Sequence, residues 1–421
     1  MRRSSPGLDP SLALSAWSEA TTARADPWTH YACELVTPLY GGGVRSAEVD
    51  HTMPIRASGI RGQLRFWWRI VAGPFASPEA MFERETAIWG GVGASSPSAS
   101  QVAVRVDRVS GLKIEPAFVY QTNPNKPGEY KTMPKEADWV ESYALFPARG
   151  DLTADKHTIK TAPHRLALAG LGFRLHLKLD ARLSAQQRQE VMTALRWWAS
   201  FGGVGARTRR GLGAVQVKTL DPVSAEEVRA KGGILVLRAT DKKAEAAWKN
   251  SLKRLSNFRQ GVNIGRNPPT DDPNRPGRSR WPEPDAIRRS TGRHAAGHEP
   301  THPVDNLYPR AAFGLPIVFH FKDEKQGEPL QQLLVPEGGE RMASPLILRP
   351  YWSGSAWHPA LLLLPRWESA LTVPVGFGNG PFRRAWPTDP DQRQRLAQQI
   401  TPMAGRGDDP LTAFMDFFEK D

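Results

Sequence analysis

Apolar positions between residues 54 and 73 follow the most regular pattern in the chain. Four of them recur at spacings of four, three and four: Ile60, Leu64, Trp67 and Val71. This spacing places them on one face of an α-helix. A glycine and a proline follow at residues 73–74, and both residue types end helices. The pattern therefore predicts a helix that buries one face in a core.

Arginines form a second stripe on the flank of the same predicted helix. Arg61, Arg65 and Arg69 recur every four residues with no acid among them, so their charges repel one another. A solvated charged face is one interpretation. The other is that an anion, such as a nucleic-acid phosphate, normally lies there, which explains the repulsion more directly. Two further arginines, Arg45 and Arg56, precede the helix after a glycine-rich turn.

Alternation of apolar and polar residues predicts the strands of an N-terminal domain over residues 28–225. The expected strands are residues 29–36, 101–109, 173–179 and 214–217. Ser184 and Gln187 form a capping box that opens a second helix, which ends at Gly202. Strand, loop and helix in this order are the opening of a ferredoxin-like (βαββαβ) unit.

A second domain is predicted from residue 233 to residue 421. Short apolar runs predict buried strands at residues 234–238, 315–321, 345–349 and 360–364, and helices are expected at residues 244–255 and 412–418. A long Arg-, Pro- and Gly-rich stretch at residues 260–302 interrupts this domain, as functional or disordered loops do. Residues 1–27 are expected to be a flexible leader.

The charge balance indicates a polyanion as partner. Lys and Arg number 56 against 43 Asp and Glu, for a formal net charge of +13 and a pI near 9.9. An anionic membrane or an acidic protein would also suit this charge. The single cysteine, Cys33, excludes an internal disulfide and a multi-cysteine zinc site. No apolar run reaches the ~18 residues of a membrane span, so we expect a cytoplasmic protein without membrane attachment.

A glycine-rich loop at residues 202–213 is the main candidate for phosphate binding. It carries Arg207, Arg209 and Arg210 between glycines that allow close backbone approach. It is not a Walker A loop, because no Gly-Lys-Ser/Thr follows at the required spacing. Nucleotide hydrolysis is therefore unsupported, and a tight turn with solvated arginines is the simpler alternative.

Candidates for catalysis are few. Asp50 and His51 follow the first glycine-rich turn and would suit attack by an RNA 2′-hydroxyl, although an Asp-His pair is more typical of turn chemistry. No metal or cofactor site is expected. Two tryptophan pairs, at residues 67–68 and 197–198, could each present one ring for stacking on bases. We therefore predict a protein that is not an enzyme, with a metal-independent endoribonuclease as the alternative.

Several segments resemble one known family. The segments ELVTPLYGGG, PIRASGIRGQLRFWWR and WASFGGVGARTRRGLGAV resemble the RAMP superfamily of CRISPR RNA-binding proteins, whose hallmark is the glycine-rich, arginine-bearing loop. The second segment resembles more specifically the first-subunit (Cmr-one) family of type III-B Cmr effector complexes. GRSRWPEPDAIR, AFGLPIVFHF and RMASPLILRP are similar to the second half of that family.

This resemblance implies an α+β protein with two tandem ferredoxin-like, RRM-related domains. It also implies a non-catalytic subunit of an RNA-guided, RNA-targeting complex in antiviral defence. Such a subunit caps the 3′-end side of the CRISPR RNA (crRNA), holds crRNA and target RNA, and contacts other RAMP subunits. A structural cap that binds only protein partners is a further alternative. The RNA-binding residues so implied are Arg45, Arg56, Arg61, Arg65, Arg69, Arg207, Arg209, Arg210, Arg278 and Arg280.

Overall fold

The computed structural model describes residue 11 and residues 27–92, 97–269, 277–322, 324–378 and 380–420. The predicted leader, residues 1–27, lies outside the described residues except at positions 11 and 27. The middle of the long loop, residues 270–276, also lies outside them.

A four-stranded antiparallel sheet organises the N-terminal half. In chain order its strands are β1 (Thr29–Leu35), β4 (Val102–Ser110), β11 (Gly172–Leu179) and β12 (Val215–Val217). Across the sheet they lie in the order β12-β1-β11-β4. Helix α1 (Ala57–Val71) follows the first of these strands and α4 (Ala185–Phe201) follows the third, so these six elements follow one another as βαββαβ.

Both helices pack on one face of the sheet, as their apolar spacing predicts. Ile60, Leu64, Trp67 and Val71 are all buried, and α4 begins with the predicted capping box. The prediction that one tryptophan of each pair is available for base stacking is wrong, because Trp68 and Trp198 are fully buried as well. The indole of Trp68 donates to Glu190, and that of Trp198 donates to the carbonyl of Gly203.

Short elements fill the connections of the N-terminal half. Between α1 and β4 lie α2 (Pro78–Trp89), β2 (Gly91–Val92) and β3 (Pro97–Ser98). The connection from β4 to β11 is an insertion that we call the β4–β11 insertion, residues 111–171. It contains β5 (Ile114–Pro116), β6 (Phe118–Val119), β7 (Lys135–Glu136), α3 (Ser142–Leu145), a 3₁₀ helix (Phe146–Ala148), β8 (Asp151–Leu152), β9 (Ile159–Thr161) and β10 (Arg165–Ala167).

The C-terminal half contains two sheets. After α5 (Ala225–Ala230), the strands β13 (Ile234–Leu237), β16 (Leu346–Trp352) and β17 (Trp357–Leu363) form a sheet in the order β13-β17-β16. The second sheet, β14-β15-β18-β19, consists of Ile317–Phe319, Gln332–Pro336, Pro374–Phe377 and Arg383–Arg384. The helices are α6 (Ala244–Gln260), α7 (Glu283–Thr291), α8 (Ser369–Thr372), α9 (Pro390–Gln398) and α10 (Pro410–Lys420). The α+β class is confirmed.

In the β13-β17-β16 sheet, the strands β16 and β17 are buried on both faces. Leu346 and Leu348 belong to the core beneath α6 and α10, whereas Ile347 and Tyr351 belong to the core of the N-terminal half. The ring of Tyr351 stacks on that of Phe201, at the end of α4, with centroids 5.8 Å apart. Burial on both faces explains why these strands appear as continuous apolar runs in the sequence. The two halves therefore share one packed interface.

Candidate nucleic-acid interface

The arginine row on α1 (Arg61, Arg65 and Arg69) has a counter-ion within the protein. Glu85, on α2, is fully buried and accepts hydrogen bonds from Arg65 Nε at 2.6 Å and from Arg69 Nε at 2.7 Å. Burial by itself would raise the pKa of Glu85, but these hydrogen bonds outweigh it, so the pKa lies below its usual range. The repulsion among these arginines therefore needs no nucleic-acid phosphate to explain it, because a neighbouring helix supplies the acid. Arg61 donates to the carbonyl of Trp89.

The remaining predicted arginines outside the glycine-rich loop and α1 lie in turns and loops of both halves. Arg45 is exposed on the first glycine-rich turn, and Arg56 pairs with Asp50 at 3.1 Å. In the C-terminal half, Arg278 pairs with the buried Asp285 at 2.9 Å, and Arg280 donates to Asn267 Oδ1 at 2.7 Å. None of these four arginines, and none of the α1 arginines, lines the cleft between the two halves.

Asp50 is part of a turn. Its carboxylate accepts backbone hydrogen bonds from Met53 and Thr52, at 3.0 and 2.9 Å. These bonds, with a smaller contribution from Arg56, lower its pKa below the usual range. His51 beside it is exposed. This geometry is that of turn chemistry, the simpler of the two interpretations of the Asp-His pair.

The glycine-rich loop is held in place by contacts across the interface between the halves. Gly211 has φ +75, a conformation that favours glycine. A Cβ atom there would lie 2.6 Å from Cδ1 of Trp248 and 2.7 Å from the carbonyl oxygen of Leu348. The Thr37 hydroxyl donates to the Gly211 carbonyl at 2.6 Å. Only glycine lets the loop approach the C-terminal half this closely.

Two arginines, one from each half, hold the loop against the C-terminal half. Arg349, on β16, donates to the carbonyls of Gly202 and Val215, at 2.6 and 3.2 Å. Arg210, in the loop, donates to the carbonyls of Phe313 and Leu346. Burial lowers the pKa of Arg349 to about 9 and that of Arg210 to about 10. Both side chains remain charged at neutral pH, and the visible contacts of Arg210 are structural.

A cleft of about 1110 Å³ opens beside the loop, between the two halves. Helix α1 and the loop form one wall, and the C-terminal half forms the opposite wall with residues from α6 and β14. Among the described lining residues the one acid is Glu141, and burial raises its pKa. The basic lining residues are Arg149, Arg207, Arg209, Arg210, Arg259 and His320.

Arg207 and Arg209 are the cations best placed to bind a ligand in this cleft. Among the described residues neither forms an ion pair, and their guanidinium groups lie 5.1 Å from the ring centre of Phe146 and 5.6 Å from that of Phe66, respectively. Partial burial lowers the pKa of each. A desolvated cation without a counter-ion is costly, so an entering anion would gain most at these two residues.

Buried hydrogen-bond donors without acceptors collect at the same cleft. Such unsatisfied groups are uncommon in proteins and require an explanation. Five cleft-lining side chains carry a buried atom with no hydrogen-bond partner among the described residues, and every such atom can donate: Trp67 Nε1, Ser142 Oγ and the Nε atoms of Arg149, Arg207 and Arg259. The cleft therefore offers hydrogen-bond donors to a ligand that is rich in acceptor oxygens.

Comparison with known proteins agrees with the sequence resemblance. Residues 32–216 match the RAMP superfamily. The resemblance seen in the sequence motifs is thereby confirmed. The match runs from β1 to β12 and includes the whole glycine-rich loop, so we call this part of the chain the RAMP domain.

Solved structures with similar chains include Cmr1 from Pyrococcus furiosus in its apo form, at 16% identity and a TM-score of 0.42, covering 86% of this chain and 91% of that chain. A chain of the type III-B Cmr-beta complex bound to cognate target RNA is 12% identical, with a TM-score of 0.41, and covers 89% of this chain and 99% of that chain. Cmr6 from Pyrococcus furiosus is 11% identical, with a TM-score of 0.24, and the match covers 45% of this chain and 97% of that chain. No curated protein matches the sequence significantly.

Sequence reasoning found the loop of the RAMP domain but missed the rest of the cleft. Arg149 lies just after a 3₁₀ helix in the β4–β11 insertion, and Arg259 lies in the last turn of α6. Neither position has a periodic signal. Phe66 and Phe146 were missed because the sequence does not show that an aromatic ring packs beside an arginine 60 or more residues away.

Among the described residues no His, Cys, Asp or Glu cluster could hold a metal ion, and no helix is long and apolar enough to cross a membrane.

Replacing Gly211 by alanine should destabilise the RAMP domain. A left-handed conformation costs a non-glycine residue roughly 1–2 kcal/mol, and overpacking against Trp248 costs about 1–3 kcal/mol. We expect the midpoint of urea unfolding to fall accordingly. The matched control is Gly62→Ala, on the exposed side of α1, where a Cβ atom meets nothing within 4 Å. It should stabilise the protein by about 0.5–1 kcal/mol, and a loss as large as that of Gly211→Ala would contradict the packing argument.

Proposed function

We propose that this chain is a non-catalytic RNA-binding subunit of a CRISPR type III-B (Cmr) RNA-guided, RNA-targeting effector complex. In this role it caps the 3′-end side of the crRNA, holds crRNA and target RNA, and binds an unpaired stretch of RNA in the cleft between its halves. Its partners are those two RNAs and other RAMP subunits of a Cmr-type complex in the cytoplasm. The RAMP match over residues 32–216 and the first-subunit form of the α1 motif support this assignment.

The observation that carries the proposal is the chemistry of the cleft. In the described part of the chain it combines two arginines without an ion pair, Arg207 and Arg209, with buried donors that have no acceptor. An RNA backbone supplies both phosphate charge and acceptor oxygens, and arginine suits phosphate because its planar fork binds two oxygens at once. Contacts of this kind position RNA without reading its sequence, which in RNA-guided effectors is left to base pairing.

The cleft also favours a single strand over a duplex. Its volume, about 1110 Å³, is close to the upper end of the ~300–1,000 Å³ typical of ligand pockets, which accommodates a few nucleotides but not a helix with two backbones. Phe66 and Phe146 offer rings beside the arginines, and unpaired bases stack on aromatic and guanidinium groups. We therefore assign the cleft to an unpaired stretch of RNA, with Arg207 and Arg209 on its phosphates.

The domain organisation is part of the same proposal. We assign residues 28–225 to one ferredoxin-like domain, which contains the RAMP domain, and residues 233–421 to a second ferredoxin-like domain. The β13-β17-β16 sheet supports the second assignment, because its strands lie in the order first, third, second with α6 after the first. Among the described residues a fourth strand at its free edge is absent, and the long loop with the β14-to-β19 sheet departs from a simple βαββαβ unit.

Two alternative functions receive less support. The endoribonuclease alternative relied on Asp50 and His51, but Asp50 is used by a turn and by Arg56. The alternative of a cap that binds only proteins draws no support from the arginine row, because Arg65 and Arg69 already pair with Glu85 of the same chain. It does not explain the buried, unpaired donors of the cleft.

The proposal is tested by the binding of the full chain to a fluorescent single-stranded RNA across a salt series. We expect the logarithm of the affinity to fall with the logarithm of salt at about 0.7 per phosphate contact, and the RNA to remain intact on a denaturing gel. Duplex RNA of the same length should bind more weakly. Absence of binding at low salt would favour the protein-only cap, and cleaved RNA would favour the nuclease.

A further inference from the structure

A second, smaller pocket lies next to the cleft. Its volume is about 410 Å³, and it is formed by the β4–β11 insertion. Tyr120, Met133, Pro134 and Leu152 give it aromatic and aliphatic walls. It is separate from the glycine-rich loop, and neither the sequence motifs nor the RAMP resemblance points to it.

Arg149 lines both the cleft and the smaller pocket. Its Nε atom is buried without a partner among the described residues. The nearest carboxylate oxygen, Oε1 of Glu136, is 3.9 Å from its guanidinium group, too long for a hydrogen bond. The guanidinium carbon lies 5.6 Å from the ring centre of Phe118, which holds the side chain in place. Arg149 is thus positioned to bind a phosphate at the point where the two cavities meet.

The size and walls of the smaller pocket limit what it can hold. Its volume is near the lower end of the ~300–1,000 Å³ typical of small-ligand sites, which suits one nucleotide and excludes a continuing strand. An unpaired base offers a flat apolar face to an aromatic ring, and Tyr120 and Met133 supply such contacts. Thr132, Asp151 and Lys156 add polar groups for its edge.

We infer that the smaller pocket takes one unpaired nucleotide of the RNA strand that the cleft holds. Its phosphate binds Arg149, and its base lies against Tyr120 and Met133. The inference rests on the proposed function, because the strand must first occupy the cleft. It adds that the strand leaves the cleft past Arg149, and that one nucleotide there is held by the protein and is not paired with another strand.

The test uses photo-crosslinking of the full chain to single-stranded RNA that contains 4-thiouridine, with the crosslinked peptides identified by mass spectrometry. Crosslinking is independent of register, because any thiouridine that reaches the pocket reacts there. We expect crosslinks on peptides with Tyr120 or Met133, besides those from the cleft at Phe66 or Phe146. In Ala154→Trp, whose indole would fill the pocket from an exposed lining position, the pocket crosslinks should fall about tenfold and the cleft crosslinks should remain.

Affinity provides the second measurement. Loss of one stacked base should weaken binding about tenfold in Ala154→Trp, whereas the matched Ala154→Ser should bind like the wild type. Arg149→Met should also reduce the pocket crosslinks, and the exposed Arg165→Met, in the same insertion, should not. Cleft crosslinks without pocket crosslinks, together with unchanged affinity of Ala154→Trp, would overturn this inference and leave the proposed function intact. Absence of RNA binding by the wild type would overturn both.

Discussion

The double replacement Arg207→Met/Arg209→Met should abolish most of the RNA affinity of this protein. Hydrogen bonds to charged groups contribute about 1.5–3 kcal/mol each, so two lost phosphate contacts should weaken binding about 100-fold or more. The slope of the logarithm of affinity against the logarithm of salt should become shallower by about 1.4, since each contact on a single strand accounts for about 0.7. Fluorescence anisotropy with single-stranded RNA measures both quantities.

The control for this experiment must remove the same charge elsewhere. Arg229→Met/Arg395→Met does so at two exposed positions, in α5 and α9, away from the cleft. It should change the affinity only through the lower net charge of the protein. Equal losses in both double variants would mean that RNA responds to the overall charge and not to the cleft, which contradicts the site assignment. Unfolding temperatures of the variants should stay close to that of the wild type, because neither Arg207 nor Arg209 has an ion-pair partner among the described residues.

The double replacement Arg65→Met/Arg69→Met should lower stability before it affects any RNA contact. It leaves the carboxylate of Glu85 buried and unpaired, and breaking a buried pair in this way typically costs about 3–5 kcal/mol. We expect a loss of this size in the free energy of unfolding measured with urea. Adding Glu85→Gln should restore much of it, because the triple variant no longer buries an uncompensated charge.

The pH dependence of this double variant provides an independent check. In the wild type the pKa of Glu85 is lowered, so its stabilising contribution is present at neutral pH and is lost as the pH falls through the folded pKa. Without its arginines the buried carboxyl favours the neutral form. The stability difference between variant and wild type should therefore shrink as the pH is lowered. A difference that is constant with pH would show that Glu85 is not the group responsible.

The sequence predicted most of the fold because the periodicity is local. The burial of Ile60, Leu64 and Trp67 follows from helical spacing alone, and the capping box at Ser184 fixes where α4 begins. The apolar run in the sequence predicted the strand β16, but it did not show why this strand is apolar along its length. Burial on both faces depends on how two halves pack, which no local pattern encodes.

The candidate site was predicted in part, and the errors have one physical cause. The sequence alone does not show which acid, if any, forms an ion pair with a given arginine. Arg69 and Arg209 look equally available along the chain, yet one binds Glu85 on a neighbouring helix and the other has no ion-pair partner in the described part of the molecule. The glycines of the loop were more informative, because Gly211 lies where the loop closely approaches the C-terminal half.

The doubly buried β16–β17 pair has a mechanical consequence. One face of this pair packs on the RAMP domain and the other on α6, so these two parts of the cleft walls rest on the same two strands. We therefore expect that the walls do not close on RNA as jaws would, and that the cleft has its shape before RNA binds. The conformational freedom lost on binding is then that of the flexible RNA strand. A neighbouring subunit that pushes on the outer side of the C-terminal half would move the cleft as a whole and leave its width unchanged.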